Sequence, residues 1–300
     1  MENIRPKVSV IVAAYESAAL LSRCLATLED QTYRYFETIV VNSSPETRTA
    51  EVASGFPHVR FHQHPNRLLP HAARNVGVSM ARGGLYAFTD ADCKIDPGWL
   101  AAFVNAHAQG HPIVCGSIET ESSNWISRSI HLLKYAPYLR GRPPGPIGLA
   151  ATGSLLVSEE AWMKAGPFDG SFFSGDALFS WKATRMGMTP MFEPRAMVVD
   201  QDEKLARGFF RSRFQRGSEF GRLRTEFEGW SRASLFARTL LVPVALLASL
   251  SSICRHCRLA GRSSDFFLTL PFQLLGQAAW CMGEAKGYAS LLLRGRKGGL

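Results

Sequence analysis

Gly84-Leu85-Tyr86-Ala87-Phe88-Thr89-Asp90-Ala91-Asp92 decides the fold of this chain. Its apolar run reads as a buried strand, and two carboxylates one residue apart stand where the strand runs out. In an open α/β sheet that rim is where ligands bind. Paired carboxylates hold hard cations such as Mg²⁺ or Mn²⁺, and these bridge phosphates. Alone, such a pair after a strand is more often a turn or a helix cap. The flanking sequence decides.

Upstream, Val8–Ala14 is β-branched and almost wholly apolar, as a central parallel strand must be. Strands are also expected at Glu37–Val41 and Val59–His62, with helices at Ser17–Asp30, Thr47–Ser54 and Pro70–Ala81. This alternation at βαβ spacing predicts an α/β fold with a mostly parallel sheet. Downstream the pattern turns mixed. Helices are expected at Trp99–Gln109, Glu159–Ala165 and Ala177–Met186, strands at Ile113–Ile118, Leu149–Ser158 and Pro190–Val199, and a loop at Arg140–Gly148. The turn Ala13-Ala14-Tyr15-Glu16-Ser17 has no G-x-G-x-x-G, and no Walker-type motif occurs, which argues against a dinucleotide-binding domain or a P-loop NTPase.

The chain's 300 residues can hold one large domain or two. Its charge is uneven: from Glu203 onward 16 Lys/Arg face 6 Asp/Glu, whereas the front carries 18 against 19. The basic residues flank long apolar runs, which favours an anionic membrane surface over nucleic acid. The six cysteines are scattered, as in a reducing compartment, and Cys254-x-x-Cys257 lacks the second pair that zinc needs. No secretory signal pattern opens the chain, so the front domain is expected in the cytosol.

Several segments taken together resemble the family 2 inverting glycosyltransferases of GT-A fold. They are Pro6–Glu16, Ala73-Arg74-Asn75-Val76-Gly77, Ala81-Arg82-Gly83, Ala87–Asp92 and Pro97-Gly98-Trp99-Leu100. The resemblance covers roughly residues 6–217, and the tail through Trp280-Cys281-Met282-Gly283-Glu284 is similar to membrane-associated members. It implies a Rossmann-like mixed sheet, with a catalytic domain over 1–217 and a basic, apolar helical tail over 218–300. It also implies transfer of a glycosyl group, with inversion, from a UDP- or GDP-type sugar to a hydroxyl of a lipid-linked or cell-surface glycan.

The resemblance assigns roles residue by residue. Asp92, and less directly Asp90, would hold Mg²⁺ or Mn²⁺ at the diphosphate. Ala13, Tyr15 and Glu16 would line the nucleoside pocket, and Ala91 and Gly153 belong with the donor-binding residues. Asn42 stands where relatives commonly place an acid that reads the base, and it fits base reading and turn formation equally. Arg74 fits either a phosphate contact or a surface helix, while Asn75 and Gly77 suit packing. Asp176 matches the general base, although Gly175 replaces the usual Glu before it and Lys182 a common Arg. An N-cap is its plain alternative. Arg211, Arg213 and Arg216 resemble a basic segment near the diphosphate, or else they meet lipid headgroups. Asp200 and Asp202 stand where many relatives have a His, and a solvated loop suits them better.

The apolar runs Leu240–Ile253 and Phe266–Met282 are short for spanning, and basic residues lie on every flank. An interfacial or re-entrant hairpin on the cytoplasmic face is expected, with buried core helices as the alternative. The rival function is a catalytically inactive membrane scaffold that keeps the fold.

Overall fold

The computed structural model describes residues 6–201 and 206–293. The chain forms two compact units: Met1–Glu121 with Tyr138–Asp202, and Ser122–Pro137 with Glu203–Leu300.

In the first unit, strands β1 (Val8–Ala14), β2 (Phe36–Asn42), β3 (Val59–Gln63) and β4 (Leu85–Asp90) alternate with helices α1 (Ala18–Glu29), α2 (Arg48–Ser54) and α3 (Pro70–Ser79). There follow β5 (Cys93–Ile95), α4 (Trp99–Ala108) and β6 (Ile113–Thr120). Helix α5 (Trp125–Tyr135) belongs to the second unit. The first unit resumes with β7 (Gly145–Pro146), β8 (Ser154–Ser158), α6 (Glu159–Ala165), α7 (Gly175–Arg185) and β9 (Met191–Asp200). The strands make one mixed sheet in the order β3-β2-β1-β4-β8-β6-β9-β5, with β7 paired to β9. β1 runs parallel to β2 and β4, and β8 runs antiparallel between β4 and β6.

Val8, Val10, Ile11 and Val12 have no exposed surface, which explains the unbroken apolar run of a strand covered on both faces. Helix α3 lies so close to β1 that a Cβ on Gly77 would stand 2.4 Å from Ile11 Cγ2. Phe88, Trp162, Phe168 and Phe179 form one aromatic cluster, with centroids 5.1–5.9 Å apart and mostly edge-to-face contacts. Two sequence expectations change. Within the expected loop Arg140–Gly148, Gly145 and Pro146 pair with β9. Strand β8 begins at Ser154 rather than Leu149, because Thr152 and Gly153 form a turn just before it.

The second unit is helical: α5, α8 (Phe209–Glu228), α9 (Arg232–Leu240), α10 (Val242–Leu259) and α11 (Ser263–Leu293). Helix α8 runs unbroken through residue 217, so the division between units falls instead at Asp202. Two glycine pairs at helical spacing bring α8 and α11 together. A Cβ on Gly217 would stand 2.4 Å from Trp280 O, and one on Gly283 would stand 2.2 Å from Phe214 O. Gly221 and Gly287 repeat this one turn on, so the two backbones touch.

Helix α11 is continuous where its sequence suggests interruption. Thr269, Gln273, Gly276 and Gln277 are buried, while Phe267, Leu268, Leu274, Leu275 and Met282 are exposed. Gln273 donates to Ser129 O at 3.1 Å, and Gln277 Oε1 accepts from Arg213 at 2.7 Å. These polar residues thus face the unit's interior together with Phe266, Phe272 and Cys281, while the five exposed apolar residues lie on its outside. Among the described residues no single helix is long and apolar enough to cross a membrane; α9 and α10, bent by 71°, pass that test only as a pair.

Burial raises the Glu284 carboxyl from 4.5 to about 7, against the pull of Arg224 and Arg213. A raised folded-state pKa stabilises below the unfolded value, and that stability is lost as pH rises through the folded one. Glu284→Gln is therefore expected to leave stability unchanged near pH 4.5 and to raise it by roughly 1–3 kcal/mol at pH 8. Denaturant melts at the two pH values check this.

Candidate functional site

The parallel strands all end at one rim. Register places Ala13 opposite Asp90 and Ala14 opposite Asn42, with Thr89 opposite Ser154. Between β1 and β4 the strand order reverses direction, which is the switch point where open α/β sheets bind ligands. Glu16, just past β1, is the one non-glycine residue with positive φ (49°) among the described residues, and its side chain is exposed. Such strained turns cluster at ligand sites. Tyr15 lies beside it with the Arg67 guanidinium 4.4 Å over its ring.

Asp90 ends β4, and its Oδ1 accepts from Arg74 Nη2. Arg74 is 3% exposed, so it is no surface arginine: its guanidinium is held between Asp90 and His71, whose Nδ1 accepts from Nη1 at 3.3 Å. Paired on one oxygen, Asp90 keeps Oδ2 toward Gly153. A Cβ on Gly153 would come 3.4 Å from that oxygen, so glycine keeps the carboxylate uncovered. Ala91 is buried and Asp92 is partly exposed. The Asp92 carbonyl accepts from Gln201 N at 2.9 Å, which fixes the turn against the end of β9.

Asp200 is the last residue of β9, opposite Cys93, and is only 8% exposed. It is a buried strand-end acid rather than a solvated loop acid, because β5 pairs with β9 beside it. Asp202 lies outside the described residues. Burial pushes the Cys24 and Cys93 thiols up, and the neighbouring Asp92 and Asp90 push the same way, so both thiols are neutral and unreactive.

Asp176 is the second residue of α7. Its Oδ1 accepts from Ala177 N at 2.9 Å and lies 3.7 Å from His71 Nε2. The side chain is 27% exposed. Asp90, Arg74 and His71 are therefore linked by hydrogen bonds, and Asp176 lies next in line, 3.7 Å from the His71 ring. His71 was not legible as a site residue; its one sequence signal is the i,i+3 spacing to Arg74 on the same helix face. Asn75 pairs reciprocally with the backbone of Phe168, at 2.8 and 3.2 Å, as a packing residue does.

Asn42 is fully buried at the end of β2. Its amide donates to Ser44 O and Gln63 Oε1, and its oxygen accepts from Ser44 N. Of its two readings, this geometry is that of a turn former. Arg213 and Arg216 lie on α8 of the second unit. Arg213 donates to Leu133 O and Gln277 Oε1 and lies 4.5 Å over the Trp280 ring. Burial lowers its pKa to about 10, so this arginine is engaged in helix packing.

Two carboxylates at one strand end suit Mg²⁺ or Mn²⁺, which use one or two protein carboxylates and complete their shell with phosphate and water. Among the described residues no group of three His, Cys, Asp or Glu side chains converges for a metal.

The comparisons agree with this architecture. The chain is 26% identical over 200 residues to glycosyltransferase AglE of Haloferax volcanii, covering 64% of this chain and 66% of the relative. It is 33% identical over 101 residues to the uncharacterized glycosyltransferase YibD of Escherichia coli, covering 32% and 29%. The chain thus spans about two thirds or less of these relatives' lengths. Among solved structures, the mannosyltransferase PcManGT of Pyrobaculum calidifontis, in complex with GDP-Man and Mn²⁺, superposes with a TM-score of 0.57 at 18% identity, over 91% of this chain and 88% of that one. GalNAc-T7 with UDP, GalNAc and Mn²⁺ gives 0.53 at 17% identity, over 67% and 44%. At these identities the likeness shows the fold. The description "Glycosyl transferase family 2" matches residues 9–160, half of the sequence, and the chain belongs to that family.

Proposed function

We propose that this chain transfers a glycosyl group from a UDP- or GDP-type sugar to an acceptor hydroxyl, with inversion and with Mg²⁺ or Mn²⁺. The observation that carries the reading is the polar chain from Asp90 through Arg74 and His71 to Asp176 along one sheet rim. Its two ends, Asp90 and Asp176, lie on the same edge, which supports reading them as a cation-binding acid and a base. Relatives of the same fold have been solved with UDP or GDP-Man and Mn²⁺, which supports this donor class.

The chain's own residues divide the work. Asp92 and Asp90 would hold the cation, with Arg74 fixing the Asp90 carboxylate. When bound, the cation supplies the positive charge that stabilises the departing diphosphate. Tyr15 and Glu16 stand at the end of β1 where the nucleoside would lie. Asp176 takes the proton from the acceptor hydroxyl as the sugar is displaced from the opposite face. Its Oδ1 already receives the Ala177 N–H, and Oδ2 is the oxygen left for that proton.

We further propose that the second unit rests on an anionic membrane surface at the cytoplasmic face. The outward apolar stripe of α11, the exposed Phe236, Leu240, Val244 and Leu247 along α9 and α10, and the basic residues from Glu203 onward support it. Arg294, Arg296 and Lys297 of that basic set lie outside the described residues. A lipid-linked acceptor suits such a unit. Full-length protein is expected to float with vesicles containing anionic lipid; protein left at the bottom of the gradient contradicts the membrane reading.

The activity itself is tested by incubating the full chain with a panel of UDP- and GDP-sugars and Mn²⁺ and reading nucleotide release. Turnover with at least one donor is expected. An inactive scaffold would show neither turnover nor metal-dependent nucleotide binding.

A further inference from the structure

The ring of His71 sits in a closed setting. It is 2% exposed, packs 5.2 Å from the Phe168 ring, and has both nitrogens engaged. Arg74 can only donate, so its contact to Nδ1 at 3.3 Å makes that nitrogen the acceptor. The Phe173 carbonyl can only accept, so its 3.1 Å contact to Nε2 puts the proton there. The two neighbours thus select the same tautomer independently: Nε2 carries the proton and donates it to the Phe173 carbonyl. The same nitrogen lies 3.7 Å from Oδ1 of Asp176, beyond hydrogen-bond length, and catalytic contacts of this kind tighten in the substrate complex.

The chain makes room for this ring. Gly175 is the residue before Asp176, and a Cβ there would stand 2.9 Å from His71 Cδ2 and 2.5 Å from Asp169 O. A side chain at 175 and the imidazole at 71 exclude each other. Oδ1 of Asp176 accepts the Ala177 N–H along the helix, and His71 Nε2 on α3 lies 3.7 Å from the same oxygen.

We propose that His71 is a positioning residue for Asp176, made possible by the missing side chain at Gly175. It acts by presenting its Nε2–H, now held by the Phe173 carbonyl, beside Oδ1, a contact that shortens to a shared hydrogen bond in the substrate complex, and Arg74 locks the tautomer from the other side. This rests on Asp176 being the base. Because His71 and Arg74 share one face of α3, the same helix fixes the cation-binding acid and the base.

The test uses the full chain, Mn²⁺ and whichever UDP- or GDP-sugar turns over fastest in the donor panel. His71→Leu keeps volume and removes the N–H. It is expected to lower kcat at least ~10-fold while donor KM stays within about 3-fold, the split of a lost transition-state interaction. His71→Gln, whose amide nitrogen reaches the Nε2 position, is expected to recover most of kcat; His71→Asn, which reaches only the Nδ1 position, is not. A folded His71→Leu with wild-type kcat overturns the proposal, as do equal rates for Gln and Asn. Should His71→Leu not fold, the Gln and Asn pair decides alone. The underlying reading fails separately: wild-type transfer by Asp176→Asn removes the base, whereas an inactive Asp176→Asn beside a fully active His71→Leu removes only the positioning role.

Discussion

Asp176→Asn is expected to lower the transfer rate by about 10²–10⁴-fold, the usual contribution of a positioned general base. The amide is the same size as the carboxylate, and its oxygen can still accept from Ala177 N, so the start of α7 should be undisturbed. Donor affinity should change little, because Asp176 belongs to the acceptor's half of the chemistry. The measurement is single-turnover transfer beside calorimetric binding of the donor nucleotide with Mn²⁺. A large loss of rate with preserved binding is the expected pair of results. If binding falls with rate, Asp176 holds the donor or the fold instead. The N-cap alternative makes a different forecast: α7 would lose stability and kcat would follow only through unfolding.

Asp92→Ala should have an effect at least as large, by a different route. Asp90 is ion-paired with the buried Arg74, while Asp92 stands two residues further on at the rim and is partly exposed. Losing it removes a hard oxygen ligand without opening the core, since the side chain is partly exposed. Turnover stimulated by Mn²⁺ should fall by about 10³-fold or more, in line with the several kcal/mol that Lewis-acid stabilisation supplies. The residual rate should no longer respond to Mn²⁺ concentration, and the thermal midpoint without metal should stay close to that of the parent chain. A variant with a normal Mn²⁺ response would place the cation elsewhere.

Much of the first unit is legible in its sequence because parallel strands buried on both faces read as continuous apolar runs. Val8–Ala14 and Leu85–Asp90 are cases in point: both lie deep in the sheet, and the carboxylates after the second fall at the rim. The short edge strand Cys93–Ile95 and the two-residue β7 carry too few residues for any period to show. Helix α5 has an Asn124 cap that accepts from Ile126 N and Ser127 N, yet it sits between two loops and belongs to the other unit, so chain order hides it. In α11 a linear reading counts Gln273, Gly276 and Gln277 as interruptions. They are one buried face of a single helix, and hydropathy read along the chain averages the two faces together.

The site divides in the same way. Asp90, Asp92 and Asp176 are visible because strand ends and helix starts have sequence signatures. Arg74 was visible as a residue but not as a buried partner of Asp90, since burial of a charge depends on what packs around it. His71 depends on a contact to a residue a hundred positions away, and no local pattern reports that. Gly175 reads as a departure in sequence, and its reason appears only when the ring of His71 is seen against it.

The central claim is that a cation held at the end of β4 binds the donor's diphosphate. Calorimetric titration of UDP and GDP into the full chain, with and without Mn²⁺, tests it most directly when repeated on Asp92→Ala. Binding of at least one nucleotide that needs Mn²⁺ in the parent chain and vanishes in the variant is the expected result. Nucleotide binding that is equal with and without Mn²⁺, or equal in parent and variant, would contradict the claim.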